Sequence, residues 1–206
     1  MLPFSTATFL SFALASLLIE LTPGPNMTYL ALVSASDGRR AGFATVAGIA
    51  SGLAVIGGIA ALGVAELIQA SSLLYEGLRW AGVLFLLYLA WEGWTSGTDV
   101  VSNNGNPRGK YFWRGFITNL LNPKAAIYYV AVLPTFVEAG RPILPQTVLL
   151  TAVYVAVATA IHAMIVVLAG ALQPFLNDPK LEQISRRLLS ALLALVALWF
   201  AWSTAR

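Results

Sequence analysis

The sequence predicts an all-α integral membrane protein: six transmembrane helices in a three-plus-three inverted repeat, with the first and fourth helices broken at the membrane midplane. Three observations lead there. The first is composition, with 58% of the 206 residues hydrophobic and 10% charged, where a soluble globule carries roughly a quarter charged residues. Mean hydropathy is +0.77. The second is spacing: the apolar runs fit about six spans of roughly 20 residues with short loops and leave no room for a separate soluble domain. The third is that two runs are interrupted by proline, at Thr22-Pro23-Gly24-Pro25-Asn26 and at Asn122-Pro123-Lys124. The net charge of +3 belongs to loops and bears on orientation, with no nucleic acid expected as partner. The absence of cysteine excludes disulfides and thiol redox chemistry, and nothing in the chain calls for a cofactor or a metal.

The first apolar run, residues 4–35, is too long for one straight span. Prolines 23 and 25 remove backbone donors and clash with the preceding turn, while Gly24 tolerates the odd dihedrals expected there. Residues 1–8 hold no Lys or Arg, so the run is expected to stay as a membrane helix and not to leave as a signal peptide. Asp37-Gly38-Arg39-Arg40 makes a tight basic turn. The second span, residues 42–67, carries Gly48 and Gly52 at the small-xxx-small spacing that lets helix backbones approach. A polar linker with Glu66, Glu76 and Arg79 leads to the third span, residues 80–94, closed by interfacial Trp91 and Trp94. The polar stretch 97–110 divides the chain into repeat one, residues 1–97, and repeat two, residues 111–206, of one membrane domain. After Arg114 the fourth span begins; it is broken at Asn122-Pro123-Lys124 and ends near Pro134. The fifth, residues 146–172, sets Ala152, Ala156 and Ala160 along one face, and the sixth covers residues 184–202.

The repeat rests on spacing. Pro23 and Pro123 lie 100 residues apart, as do Leu21 and Leu121, Tyr29 and Tyr129, and Phe12 and Phe112. For the last helix of each half the offset is 108, pairing Arg79 with Arg187, Trp91 with Trp199 and Trp94 with Trp202. Three spans per half force the second copy to cross in the opposite sense. Basic residues then set the orientation: Arg39, Arg40, Arg108, Lys110, Arg114, Lys180, Arg186 and Arg187 collect on one side against Arg79, Arg141 and Arg206 on the other. By the positive-inside rule both termini are expected outside. From Arg114 at the inner surface to Pro123 is nine residues, about 14 Å of helix and half of a hydrocarbon core of roughly 30 Å. Two half-helix amino ends are therefore expected to converge at the midplane, offering N–H groups and positive dipole ends to a small anion such as a carboxylate.

Pro23-Gly24-Pro25-Asn26, the Asp37-Gly38-Arg39-Arg40 turn and Asn119-Leu120-Leu121-Asn122-Pro123-Lys124-Ala125 together resemble the lysine exporter superfamily, in particular its homoserine/threonine exporter branch. The resemblance covers nearly the whole chain. It implies a bacterial inner-membrane amino-acid exporter with six spans, driven by the proton gradient. Family members hold Asp or Asn at the position of Asn26, so no carboxylate role carries over to it, and Glu20 lies outside the motif.

Several residues stand out as site candidates. Lys124 places a cation at the midplane, where ionisable groups are costly and usually functional; it meets a substrate carboxylate or a protein acid, unless it snorkels to the surface. Glu20 either approaches Lys124 across the pseudo-two-fold axis, carries the coupled proton, or is an acid satisfied by loose backbone amides. His162 either relays protons or is a hydrogen-bonded core histidine. Pro23, Gly24, Pro25, Asn122 and Pro123 line the breaks or only shape kinks. Asn26 and Asn119 bond to substrate or cap the half-helices. Tyr128 and Tyr129 line a cavity or pack in the core. The competing reading is an intramembrane serine hydrolase with Ser51 as nucleophile and His162 as base, which leaves both breaks and Lys124 without a task. The expected partners are a small amino acid, protons and the lipid bilayer, with room for a homodimer if the Gly48 and Gly52 face is not used inside the monomer.

Overall fold

The computed structural model describes residues 3–22, 24–62, 72–95, 107–138, 140–171 and 179–203. Among them all regular structure is helical. In chain order the helices are α1 (Thr6–Leu21), α2 (Pro25–Ser36), α3 (Gly38–Ala61), α4 (Ser72–Thr95), α5 (Pro107–Leu120), α6 (Pro123–Ile127), α7 (Ile143–Gly170) and α8 (Pro179–Ser203). After α6 the chain continues as a π-helical turn, Tyr128–Val132, and a 3-10 turn, Leu133–Phe136.

Local chemistry accounts for the ends. Ser5 caps α1 by accepting from the Thr8 N–H at 3.1 Å, and α1 stops ahead of the proline pair. Helices α2 and α6 each start on proline, whose missing N–H costs nothing at a first helical position. A single residue, Asp37, separates α2 from α3, and Gly38 takes φ +84° at that corner, a dihedral that a side chain would strain.

Several helices start earlier than apolarity predicts: α4 at Ser72 where the apolar run begins at residue 80, α8 at Pro179 where it begins at 184, and α5 at Pro107, ahead of Arg114. Charged side chains such as Glu76, Lys110 and Arg187 do not stop a helix, so apolar runs mark only the part suited to lipid. Among the described residues, α3 and α7 are each long and apolar enough to cross a membrane, and α1 with α2, bent by 61° at their break, make up to one more crossing. The other apolar stretches are shorter: Val83–Glu92, Lys124–Phe136 and Arg187–Trp199.

Helix α3 is the centre of the packing. It lies along α5 and α7, while α2 lies on α7, α3 and α8, α1 lies on α7, and α4 pairs with α8. The α3–α5 contact is backbone to backbone. A methyl group on Gly48 would run into the Phe112 carbonyl and the Phe116 N–H, and one on Gly115 into the Thr45 carbonyl. The small-residue spacing is thus used inside the chain. The Ala152, Ala156 and Ala160 face of α7 points outward instead, beside exposed Val148, Met164 and Leu168. Leu10, Leu14, Leu17 and Leu18 of α1 and Leu188, Leu192, Leu195 and Leu198 of α8 are likewise exposed, as suits surfaces that meet lipid tails and not water. Phe12, Ile49, Leu53, Tyr128, Tyr129, Leu150 and Tyr154 close the largest apolar core, next to the two breaks.

Candidate functional site

The breaks face each other. Where α1 ends, the Thr22 carbonyl has no helical continuation, and Lys124 Nζ, from the first turn of α6, donates to it at 2.8 Å. A cation at a helix carboxyl end also meets the negative end of the dipole. Lys124 is held for this by Asn122, whose Oδ1 accepts from the Lys124 N–H at 3.0 Å and so caps α6. The capping task expected of Asn26 or Asn119 thus falls to Asn122. Asn26 Nδ2 instead donates to Asn119 Oδ1 at 2.8 Å, tying α2 to α5. Gly24 lies directly beside the Lys124 stem, yet its φ of −166° and ψ of 177° are extended. The odd dihedral expected of it is absent. Pro25 starts α2 and is buried; Pro123 starts α6; Pro23 lies outside the described residues.

Behind Lys124 sits a second polar group. Glu20 is buried on the last turn of α1; its Oε1 accepts from Tyr154 OH at 2.7 Å and its Oε2 lies 3.4 Å from His162 Nε2. Tyr154 and His162 are eight residues apart on α7 and so share a face. Glu20 and Lys124 line the same void, but among the described contacts no salt bridge joins them. One turn earlier, Ser16 Oγ meets Tyr128 OH at 2.7 Å, and the Tyr128 ring stacks on Tyr154 with centroids 4.1 Å apart. Tyr128 opens the π-helical turn, a distortion that recurs at functional sites.

Glu20, Asn26, Asn119, Asn122, Lys124, Tyr154 and His162 surround a void of about 10 Å³, with Met27, Leu53 and Ala125 as its apolar wall. That is room for about one water. The sequence singled out most of these side chains, because a polar group inside an apolar run is conspicuous. Tyr154 it missed, although its spacing of eight from His162 was a usable signal. Ser51 is not part of the constellation: its Oγ donates to the Ala47 carbonyl at 2.8 Å, while His162 faces Glu20. A serine–histidine dyad is not assembled, which corrects the hydrolase alternative.

Away from the void, Glu138 joins the halves. Its Oε1 accepts from the Ser5 N–H at 2.8 Å and from Thr8 Oγ1 at 2.7 Å, at the amino end of α1. Those donors hold its carboxyl below the usual range. On another face Glu92 of α4 pairs with Arg114 at 2.5 Å and with Lys110 at 3.3 Å.

A sequence profile for LysE type translocators matches residues 17–204. The chain belongs to the LysE family. It is a transporter and not an enzyme, and with its apolar helices a multi-pass membrane protein of bacterial type. Within the LysE family it is 26% identical over 189 residues, 90% of this chain and 92% of the relative, to the homoserine/homoserine lactone efflux protein of Salmonella typhimurium. The Salmonella typhi protein of the same name matches at 26% over the same length. A leucine efflux protein of Salmonella choleraesuis is 26% identical over 172 residues, 82% of this chain and 81% of the relative. These relatives accord with the homoserine/threonine exporter branch. No solved structure matches the chain.

Proposed function

We propose that this protein exports amino acids or close derivatives from the cytoplasm across the bacterial inner membrane, by proton-coupled antiport with alternating access. The observation that carries the reading is the meeting of the two helix breaks, where Lys124 of one half donates to Thr22 of the other within reach of a buried acid, Glu20. Relatives named for efflux of homoserine, homoserine lactone and leucine support the substrate class.

The substrate carboxylate takes over the bond that Lys124 now gives to Thr22, assisted by the helix starts at Pro25 and Pro123. Its ammonium faces Glu20. A void of about 10 Å³ holds a water but not an amino acid, so loading requires the halves to part, and a tight resting site supports alternation between sides. An ionised Glu20 attracts the ammonium. A proton arriving from outside neutralises that charge, lets the ammonium leave and resets the carrier, with His162 and Tyr154 as the groups through which the proton passes. The neutral Glu20 then returns to the cytoplasmic side and gives the proton up.

Packing is consistent with six spans in two inverted halves. Helix α3 contacts α7, and α4 contacts α8, each with its counterpart from the other half; exchanging the halves turns the α3–α5 contact into that of α7 with α1 and α2. Basic residues on the cytoplasmic face put both termini outside. With Gly48 and Gly52 used against α5, a homodimer would form through another face. The coupling step is tested with Glu20→Gln in proteoliposomes: the residual efflux of labelled substrate should no longer respond to an imposed pH gradient, and substrate exchange should weaken because the neutral side chain no longer holds the ammonium. A Glu20→Gln variant that still responds to the gradient assigns the proton elsewhere.

A further inference from the structure

Asn26 and Asn119 are both buried, at 6% and 0% exposure, and both line the void. Their one mutual hydrogen bond uses Asn26 Nδ2 and Asn119 Oδ1. What remains is one acceptor, Asn26 Oδ1, and one donor, Asn119 Nδ2, each buried with no partner among the described residues. Two amides joined by a single bond always leave one carbonyl and one N–H2, so exchanging oxygen and nitrogen in both side chains leaves the same set. Buried polar atoms without partners are costly, and a ligand that satisfies both recovers that cost. The pair is fixed in place by α3: a methyl group on Gly52 would press on Asn119 Nδ2 at 2.9 Å.

We infer that the Asn26–Asn119 pair is a neutral reader of an α-ammonium and its adjacent carbonyl oxygen, so that the site accepts α-amino compounds whose carboxyl is free or masked as an amide or ester. This rests on the export reading above. An α-ammonium offers only donors and a carbonyl oxygen only accepts, and the two sit three bonds apart, across Cα and C. Such a head group matches the Asn26 acceptor and the Asn119 donor side by side. The pair carries no charge, so it does not require the carbonyl to belong to a carboxylate. That preference comes from Lys124 alone. The reader and the charge are therefore separable, one in the α2–α5 bond and one in the first turn of α6.

The test measures binding to the purified full chain in lipid nanodiscs, with L-leucine and L-homoserine as probes beside the carboxamide and the N-acetyl derivative of each. Wild type should bind at least one free amino acid, bind its carboxamide more weakly, and show no binding of the N-acetyl form. Lys124→Ala should bring acid and carboxamide to within about twofold. Asn26→Ala and Asn119→Ala should weaken both by about tenfold or more. Asn26→Asp keeps the side-chain shape; Asn119 then turns its amide to donate to the new carboxylate, which leaves two free acceptors in place of one acceptor and one donor and should move the preference toward the carboxamide. That ratio is read within one preparation, so it does not depend on how much protein folds. A wild type that binds a free amino acid but never its carboxamide overturns the inference and leaves export standing, as do asparagine variants whose affinities stay within about twofold. A wild type that binds neither amino acid overturns the export reading and this inference with it.

Discussion

At the scale of single residues, Glu138 ties the second half of the chain to the amino end of α1 through the Ser5 N–H and the Thr8 hydroxyl. These donors lower its carboxyl pKa below the ordinary value, with Arg141 adding to the effect. A lowered carboxyl stabilises the folded state at pH above its unfolded value, and the benefit is lost as pH falls through the folded value. Amides at the start of α1 should therefore exchange slowly at neutral pH and faster in mild acid, after correction for intrinsic exchange. Glu138→Gln should make them fast at both pH values, and unchanged protection in that variant would show that the cap is idle. Lys124, Glu20, Asn122 and His162 were legible at this scale, because charge and amide groups within apolar runs have few bland uses. Tyr154 was not, since tyrosine suits a core as well as a polar site. Gly24 was misjudged for a different reason: sequence reports a permissive residue but not whether its freedom is used.

Helices make the contrast between glycines concrete. At Gly48 an added methyl meets backbone atoms of α5, Phe112 O and Phe116 N, which cannot swing away. Helix propensity favours alanine over glycine by roughly 0.5–1 kcal/mol, while overpacking costs about 1–3 kcal/mol, so the clash wins. Gly48→Ala should lower the melting temperature in nanodiscs and reduce efflux. At Gly24 the nearest atom to an added methyl is Lys124 Cδ at 3.6 Å, an ordinary contact with a flexible side chain. Gly24→Ala should change stability by no more than about 0.5 kcal/mol. Equal stability losses at the two positions would contradict this packing. The Gly48–Gly52 contact was readable as a spacing, though not its partner, because small-xxx-small identifies a face and not what lies on it. Helix starts were less readable, as α4 and α8 show: hydropathy follows solvent, whereas helix length follows propensity and capping. The π-helical turn at Tyr128–Val132 was not read from the sequence, although Pro134, which lacks a backbone donor and crowds the turn before it, lies just after it.

For the whole molecule, the two helix breaks and the candidate site are one feature. Proline breaks free backbone groups that lipid will not satisfy, and Lys124 from the other side of the chain answers for the Thr22 carbonyl, while the side chains of Asn119 and Asn26 bond to each other beside it. In the proposed export cycle those bonds are the ones exchanged for bonds to substrate. The class of the fold was legible because composition and proline placement are global signals; how Glu20 is shared between Tyr154 and His162 was not, because it depends on how α1 and α7 meet. The most direct measurement is efflux of labelled amino acids from preloaded proteoliposomes carrying a proton gradient, wild type beside Lys124→Ala at matched protein levels. Loss of a charge-assisted bond to the substrate should cut gradient-driven efflux by roughly tenfold or more. Efflux unchanged by Lys124→Ala would contradict the claim that the meeting of the two breaks is the transport site.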